Sequence, residues 1–101
     1  MTEMEKLREY VRERGFRHVC IDRDYREDGK GRIISDDRHS VIVYGDDGGY
    51  KWDAICQKYS YGYERGLLEV MGKDLLGHDD VDGNLTADEV IAMVEENERV
   101  H

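Results

Sequence analysis

A chain of 101 residues with a net charge of −9 is one domain by length, so residues 1–101 are expected to form a single domain. Charged and apolar residues each make up 39% of it and proline is absent, yet the apolar residues recur at helix and strand spacings, which excludes a disordered chain. No apolar run reaches the length of a signal peptide or a membrane span, and Cys20 and Cys56 share no CxxC spacing, so a soluble, cytoplasmic protein with reduced thiols is expected.

Thr2 to Glu5 is a capping box, T-x-x-E, which starts a helix with Met4, Leu7 and Val11 on one stripe. Gly15 is a natural terminator for it. Phe16 to Ile21 is rich in strand formers. The run DYREDGKG predicts a loop, and Arg32–Ser35 and Ser40–Tyr44 predict two short strands. GDDGG at 45–49 breaks the pattern.

Beyond that break two periods compete. Trp52, Ile55, Cys56 and Tyr59 fit a helix, while Tyr50, Trp52, Ala54 and Cys56 alternate as in a strand. The helix is the preferred reading. Tyr63, Leu67, Val70 and Met71 then predict another helix reaching toward Leu76, which Gly72 inside it ends or bends. Thr86 to Glu89 is a second capping box, ahead of a last helix with Val90, Ile91, Met93 and Val94 on its apolar face. The expected fold is α+β: a small three-stranded antiparallel sheet with an N-terminal helix and two to three C-terminal helices.

The charge is unevenly placed. Residues 1–40 carry ten basic and ten acidic side chains, whereas residues 41–101 carry 5 basic and 14 acidic ones, the whole of the −9. Between Glu69 and Glu98 ten carboxylates face Lys73 alone. Such a field repels phosphate, so direct nucleic-acid binding is not expected, and a basic protein surface is the partner it suits. The plain alternative is a solvated face that only confers solubility.

Residues 78–89, HDDVDGNLTADE, resemble an EF-hand calcium loop. Asp80, Asp82, Gly83, Leu85 and Glu89 fall at its ligand, glycine and apolar positions. His78 stands where the first aspartate belongs, and Gly77 interrupts the entering helix. Read without metal, Asp82-Gly83 makes a turn and Thr86 with Glu89 caps the helix, while Asp88 suits the positive end of its dipole. That reading is preferred, so no metal site and no cofactor are assigned, with Asp80, Asp82 and Glu89 as the residual metal candidates.

No catalytic motif stands out, so an enzyme is not expected and no catalytic residue is assigned. Cys56 beside Ile55 reads as a buried thiol before it reads as a nucleophile partnered by His39 or His78. Tyr61 and Tyr63 flank Gly62 in a region where core demand is weak, which suits tyrosines of a binding surface.

KWDAICQKYSYGYERGLLEVMG, followed by LTADEVIAMV, is similar to small proteins encoded by phages and mobile elements. The resemblance implies a setting: small acidic phage proteins are often inhibitors of host defences, including anti-CRISPR and anti-restriction proteins that mimic DNA. The expected function is thus a non-enzymatic acidic protein-binding module, in its most concrete form a phage-encoded inhibitor of a nucleic-acid-handling protein. Its expected contact residues are Tyr61, Tyr63, Glu69, Asp74, Asp79, Asp80, Asp82 and Asp88. The alternatives are a calcium-binding domain and a small accessory subunit of an enzyme.

Overall fold

The chain starts as its capping box requires. In the computed structural model, which describes residues 1–58 and 60–100, helix α1 spans Glu3–Glu13. The Thr2 hydroxyl accepts the Glu5 amide at 3.0 Å. Met4, Leu7 and Val11 are buried on one stripe of α1. The last helix, α3 (Ala87–Val100), is opened by the reciprocal box: Thr86 Oγ1 accepts the Glu89 amide at 3.2 Å and Glu89 Oε1 accepts the Thr86 amide at 3.0 Å. The starts of the two helices are tied together, because Glu3 Oε1 accepts the amide of Ala87 at 2.8 Å. That bond, first among its influences, holds the Glu3 carboxyl below its ordinary range.

Between the helices runs more sheet than expected. Strands β1 (Arg17–Arg23), β4 (Arg38–Tyr44), β5 (Tyr50–Gln57), β6 (Leu68–Met71) and β7 (Val81–Leu85) form one antiparallel sheet in the order β1-β4-β5-β6-β7. Strands β2 (Arg26–Glu27) and β3 (Ile33–Ser35) form a separate two-stranded ribbon at the β1–β4 connection. The expected three-stranded sheet is therefore replaced by five strands and a ribbon. The expected helix around Trp52 is strand β5, although Tyr59, which it included, lies outside the described residues. The expected helix from Tyr63 to Leu76 is a 3-10 turn (Tyr63–Arg65), strand β6 and the four-residue helix α2 (Lys73–Leu76).

The physical reason is pairing across GDDGG. The Gly45 amide donates to the Gly49 carbonyl at 2.7 Å, folding β5 back onto β4. Val43 then lies opposite Trp52, and Val41 opposite Ala54. This ladder satisfies the backbone of 50–57 and buries Trp52 and Ala54, so the period of two wins over the helical one. Asp82-Gly83, expected as a turn, lies inside β7 instead, with Asp82 opposite Val70.

Register sorts the strand residues onto two faces. One face carries Val41, Val43, Trp52, Ala54, Leu68 and Val70, all buried against Met4, Leu7, Val11, Ala87, Val90 and Val94 of the two helices. Two glycines make close approaches that a side chain would forbid. At Gly72, with φ +150°, a Cβ would come within 2.6 Å of the Trp52 Cβ. At Gly83 a Cβ would meet the Tyr61 Cβ at 2.4 Å, so Tyr61 lies on the backbone of β7. No helix among the described residues is long and apolar enough to cross a membrane.

Candidate functional site

Three surfaces deserve comparison: a polar cluster at one end of the helix-covered face, the outward side of the helices, and the uncovered face of the sheet. The cluster has the densest chemistry. Antiparallel register places Asp22 of β1 opposite His39 of β4, and His39 opposite Cys56 of β5. Arg8 reaches them from α1. Its guanidinium donates to the Ser40 carbonyl at 2.7 Å and the Ile21 carbonyl at 3.2 Å, and pairs with Asp22 at 3.0 Å. His39 Nδ1 lies 2.7 Å from Asp22 Oδ1, and its Nε2 lies 3.2 Å from Asp37 Oδ1. The Tyr63 hydroxyl donates to Asp37 Oδ2 at 2.7 Å.

The electrostatics follow from this alternation of signs. Asp22 is held below its ordinary range, first by the bond from Arg8 and then by that from His39. The bond to Asp22 raises His39 above the usual imidazole value. Burial, then the nearby Asp37, pushes the Cys56 thiol up. A cavity of about 370 Å³ opens beside Arg8, His39 and Cys56 at the start of α1.

Sequence reasoning weighed His39 with Cys56 as a nucleophilic pair, and the fold does make them cross-strand neighbours. Their chemistry runs the other way. A base needs a free ring nitrogen, and both nitrogens of His39 are occupied by carboxylates. A nucleophilic cysteine needs its thiolate favoured, and here burial and Asp37 disfavour it. The cluster is a clamp that ties α1 and the β3–β4 corner to the sheet.

The residues expected to contact a partner do not form one patch. Glu69 alternates with the buried Leu68 and Val70, which puts it on the uncovered sheet face. Tyr61 joins it there: its amide donates to Glu69 Oε2 at 3.3 Å, and its side chain is 65% exposed. Tyr63 is half-buried and spends its hydroxyl on Asp37. Asp80 Oδ1 accepts the Val81 amide at 2.8 Å, and Asp82 lies 3.6 Å from His78 Nε2.

The remaining three behave differently. Asp74 on α2, Asp79 before β7 and Asp88 at the start of α3 are exposed, and among the described residues no hydrogen bond or ion pair engages their carboxylates. Glu95, one face-repeat beyond Asp88 on α3, is exposed and unpaired in the same way. Glu96 and Glu98 are partly neutralised, by Arg99 at 3.2 Å and Arg14 at 2.6 Å. Asp74 adjoins the end of α3, because its carbonyl accepts Asn97 Nδ2 at 2.7 Å.

Residues 81–85 are paired strand, and Glu89 Oε1 is engaged by both the amide and the hydroxyl of Thr86. Among the described residues no three His, Cys, Asp or Glu side chains converge as a metal site. Compared with protein-family models, curated proteins and solved structures, the chain matches none.

Proposed function

We propose that this protein is a non-enzymatic binding module whose acidic helical side docks on a basic protein surface. The observation that carries the reading is the set Asp74, Asp79, Asp88 and Glu95: four exposed carboxylates, on α2, α3 and the segment before β7, that make no hydrogen bond or ion pair among the described residues. Elsewhere in residues 69–98 the carboxylates cap, pair or turn the chain, and so have structural employment. A carboxylate without it can pair with a partner without breaking a bond inside the chain, and several of one sign steer association with a basic surface.

A nucleic-acid-handling protein, such as a target of a phage inhibitor, has the basic surface that this reading requires. The 1.5 Å rise of a helix separates Asp88 and Glu95 by about 10 Å, far sparser than the charge along duplex DNA. Support for a basic partner is therefore stronger than support for mimicry of a whole DNA backbone.

The test uses the immobilised full chain and a host lysate. A protein captured at low salt should be released by added duplex DNA and by raised ionic strength. The combined variant Asp74→Asn, Asp79→Asn, Asp88→Asn, Glu95→Gln should lose the capture while keeping its melting temperature. Equal capture by that variant would remove the acidic side from consideration.

A further inference from the structure

The last helix carries an apolar row that the core does not use. Val90 and Val94 of α3 are buried and Ile91 packs beside them, but Met93 lies outside that core. Met93 is half-buried, Ala92 is exposed, and Val100 is 66% exposed. The apolar face of α3 is therefore wider than the core it serves.

Helix α2 leaves this row open. It meets α3 where Asn97 Nδ2 donates to the Asp74 carbonyl at 2.7 Å, then stops at Gly77, whose φ is +78°. Its four residues span about 6 Å, half the distance of about 12 Å from Ala92 to Val100. Between the two helices lies a shallow groove of about 460 Å³, lined by Leu75, Ala92, Met93, Glu96, Asn97 and Val100.

The charge around the groove is mostly of one sign. Asp74 precedes Leu75 on one wall, and Asp88 and Glu95 stand at i−4 and i+3 from Ala92 on the other. All three are exposed, and among the described residues their carboxylates make no hydrogen bond or ion pair. Glu96 lines the groove and pairs with Arg99 at 3.2 Å, an exposed contact of little strength. Against these four carboxylates stand Lys73 and Arg99.

An apolar row flanked by carboxylates has a defined complement. A purely basic surface would leave Met93 and Val100 uncovered, and a purely apolar one would strand the carboxylates. A helix with an apolar stripe and Lys or Arg on both flanks answers both: its stripe packs along the row from Ala92 to Val100, and its cations reach the carboxylates of either wall. It also satisfies its own backbone, which two helical walls cannot do for an extended segment.

We infer that the groove between α2 and α3 seats a basic amphipathic helix of the partner protein, continuing the helical layer where α2 breaks off. The inference rests on the proposed acidic docking side and adds to it the shape and apolar content of what docks.

Fluorescence anisotropy with the full chain and three labelled synthetic peptides tests it, each about 14 residues long so that a helix can form on binding. The first is built of lysine, alanine and leucine, with its leucines at helical spacing. The second has the same composition with the leucines scattered. The third keeps the leucine spacing and carries glutamine for lysine. The first should bind at least about tenfold more tightly than either of the others and gain helical circular dichroism as it binds. With Met93→Gln and Val100→Gln, neutral changes outside the core, the first peptide should fall to the level of the second. With Asp74→Asn, Asp88→Asn and Glu95→Gln it should fall to the level of the third. Equal binding of the first and second peptides to wild type would overturn the groove while the acidic docking side stands. Equal binding of the first and third would show that charge does not select the helix, and binding by none would overturn the groove and the docking side together. Self-association of wild type in sedimentation velocity, abolished by Met93→Gln with Val100→Gln, would give the groove to a second copy and overturn the inference.

Discussion

The two faces of the five-stranded sheet are drawn from alternate residues of the same strands, yet they follow different rules. On the helix-covered face Val41, Ala54, Leu68 and Val70 are fully enclosed, and the polar residues at its end, Asp22 and His39, are paired with Arg8 and Asp37. On the open face Val19 and Met71 are half exposed, and the charged residues make no ion pair among the described residues. Stability is thus concentrated in one set of alternate positions, and the other set is released from the demands of core packing. The division follows from a strand period of two, which lets neighbouring residues in one strand meet unrelated demands.

The comparison breaks if the faces cost the same to disturb. Leu7→Ala and Trp52→Ala each remove a buried side chain from the covered side and should destabilise by about 3–5 kcal/mol in urea unfolding. Ile42→Ala on the open face should cost about 1 kcal/mol, because that side chain is partly solvated already. A loss at Ile42 as large as that at Leu7 would mean that something in the monomer covers the open face. Gly72→Ala comes between them, at about 2–4 kcal/mol: its Cβ would stand 2.7 Å from the Lys51 carbonyl oxygen and 2.6 Å from the Trp52 Cβ, at a φ of +150°.

Much of the covered side can be read in the sequence, and little of the rest. Both long helices announce themselves locally, since Thr2 with Glu5, and Thr86 with Glu89, mark their starts, and Met4, Leu7 and Val11 their stripe. Residues 50–57 satisfy two periods at once, and only a non-local event, pairing with β4 through GDDGG, chooses between them. Leu68-Glu69-Val70-Met71 is too short for its alternation to outweigh a helical spacing that begins at Tyr63. The placement of the expected contact residues also depends on register. Proximity in sequence grouped Tyr61, Tyr63 and Glu69 with the aspartates, but a half-buried hydroxyl and an alternating strand sent them to different surfaces. The clamp of Arg8, Asp22, Asp37 and His39 depends on the register of β1 with β4, which no local signal encodes.

The smallest effect separates the faces by pH. His39 is raised above its ordinary value chiefly by Asp22, so its protonated form is favoured by folding. The stability it adds is complete below the unfolded imidazole value, about 6.5, and fades as pH rises through the higher folded value. Asp22, lowered chiefly by Arg8, works in the opposite sense: its contribution is present above the unfolded carboxyl value, about 3.9, and is lost as pH falls through the lower folded value. The imidazole is 38% exposed, so solvent screening keeps its share below about 1 kcal/mol. His39→Gln should therefore lower the melting temperature slightly at pH 5.5–6, with the gap to wild type closing as pH rises above about 7. A gap that widens with pH would show that His39 is held neutral. The open face presents no imidazole among the described residues, so the stability cost of Ile42→Ala should hold steady across the same interval. If that cost instead changes with the His39→Gln gap, the clamp and the open face are coupled through β4, and the two faces of this sheet are not energetically separate.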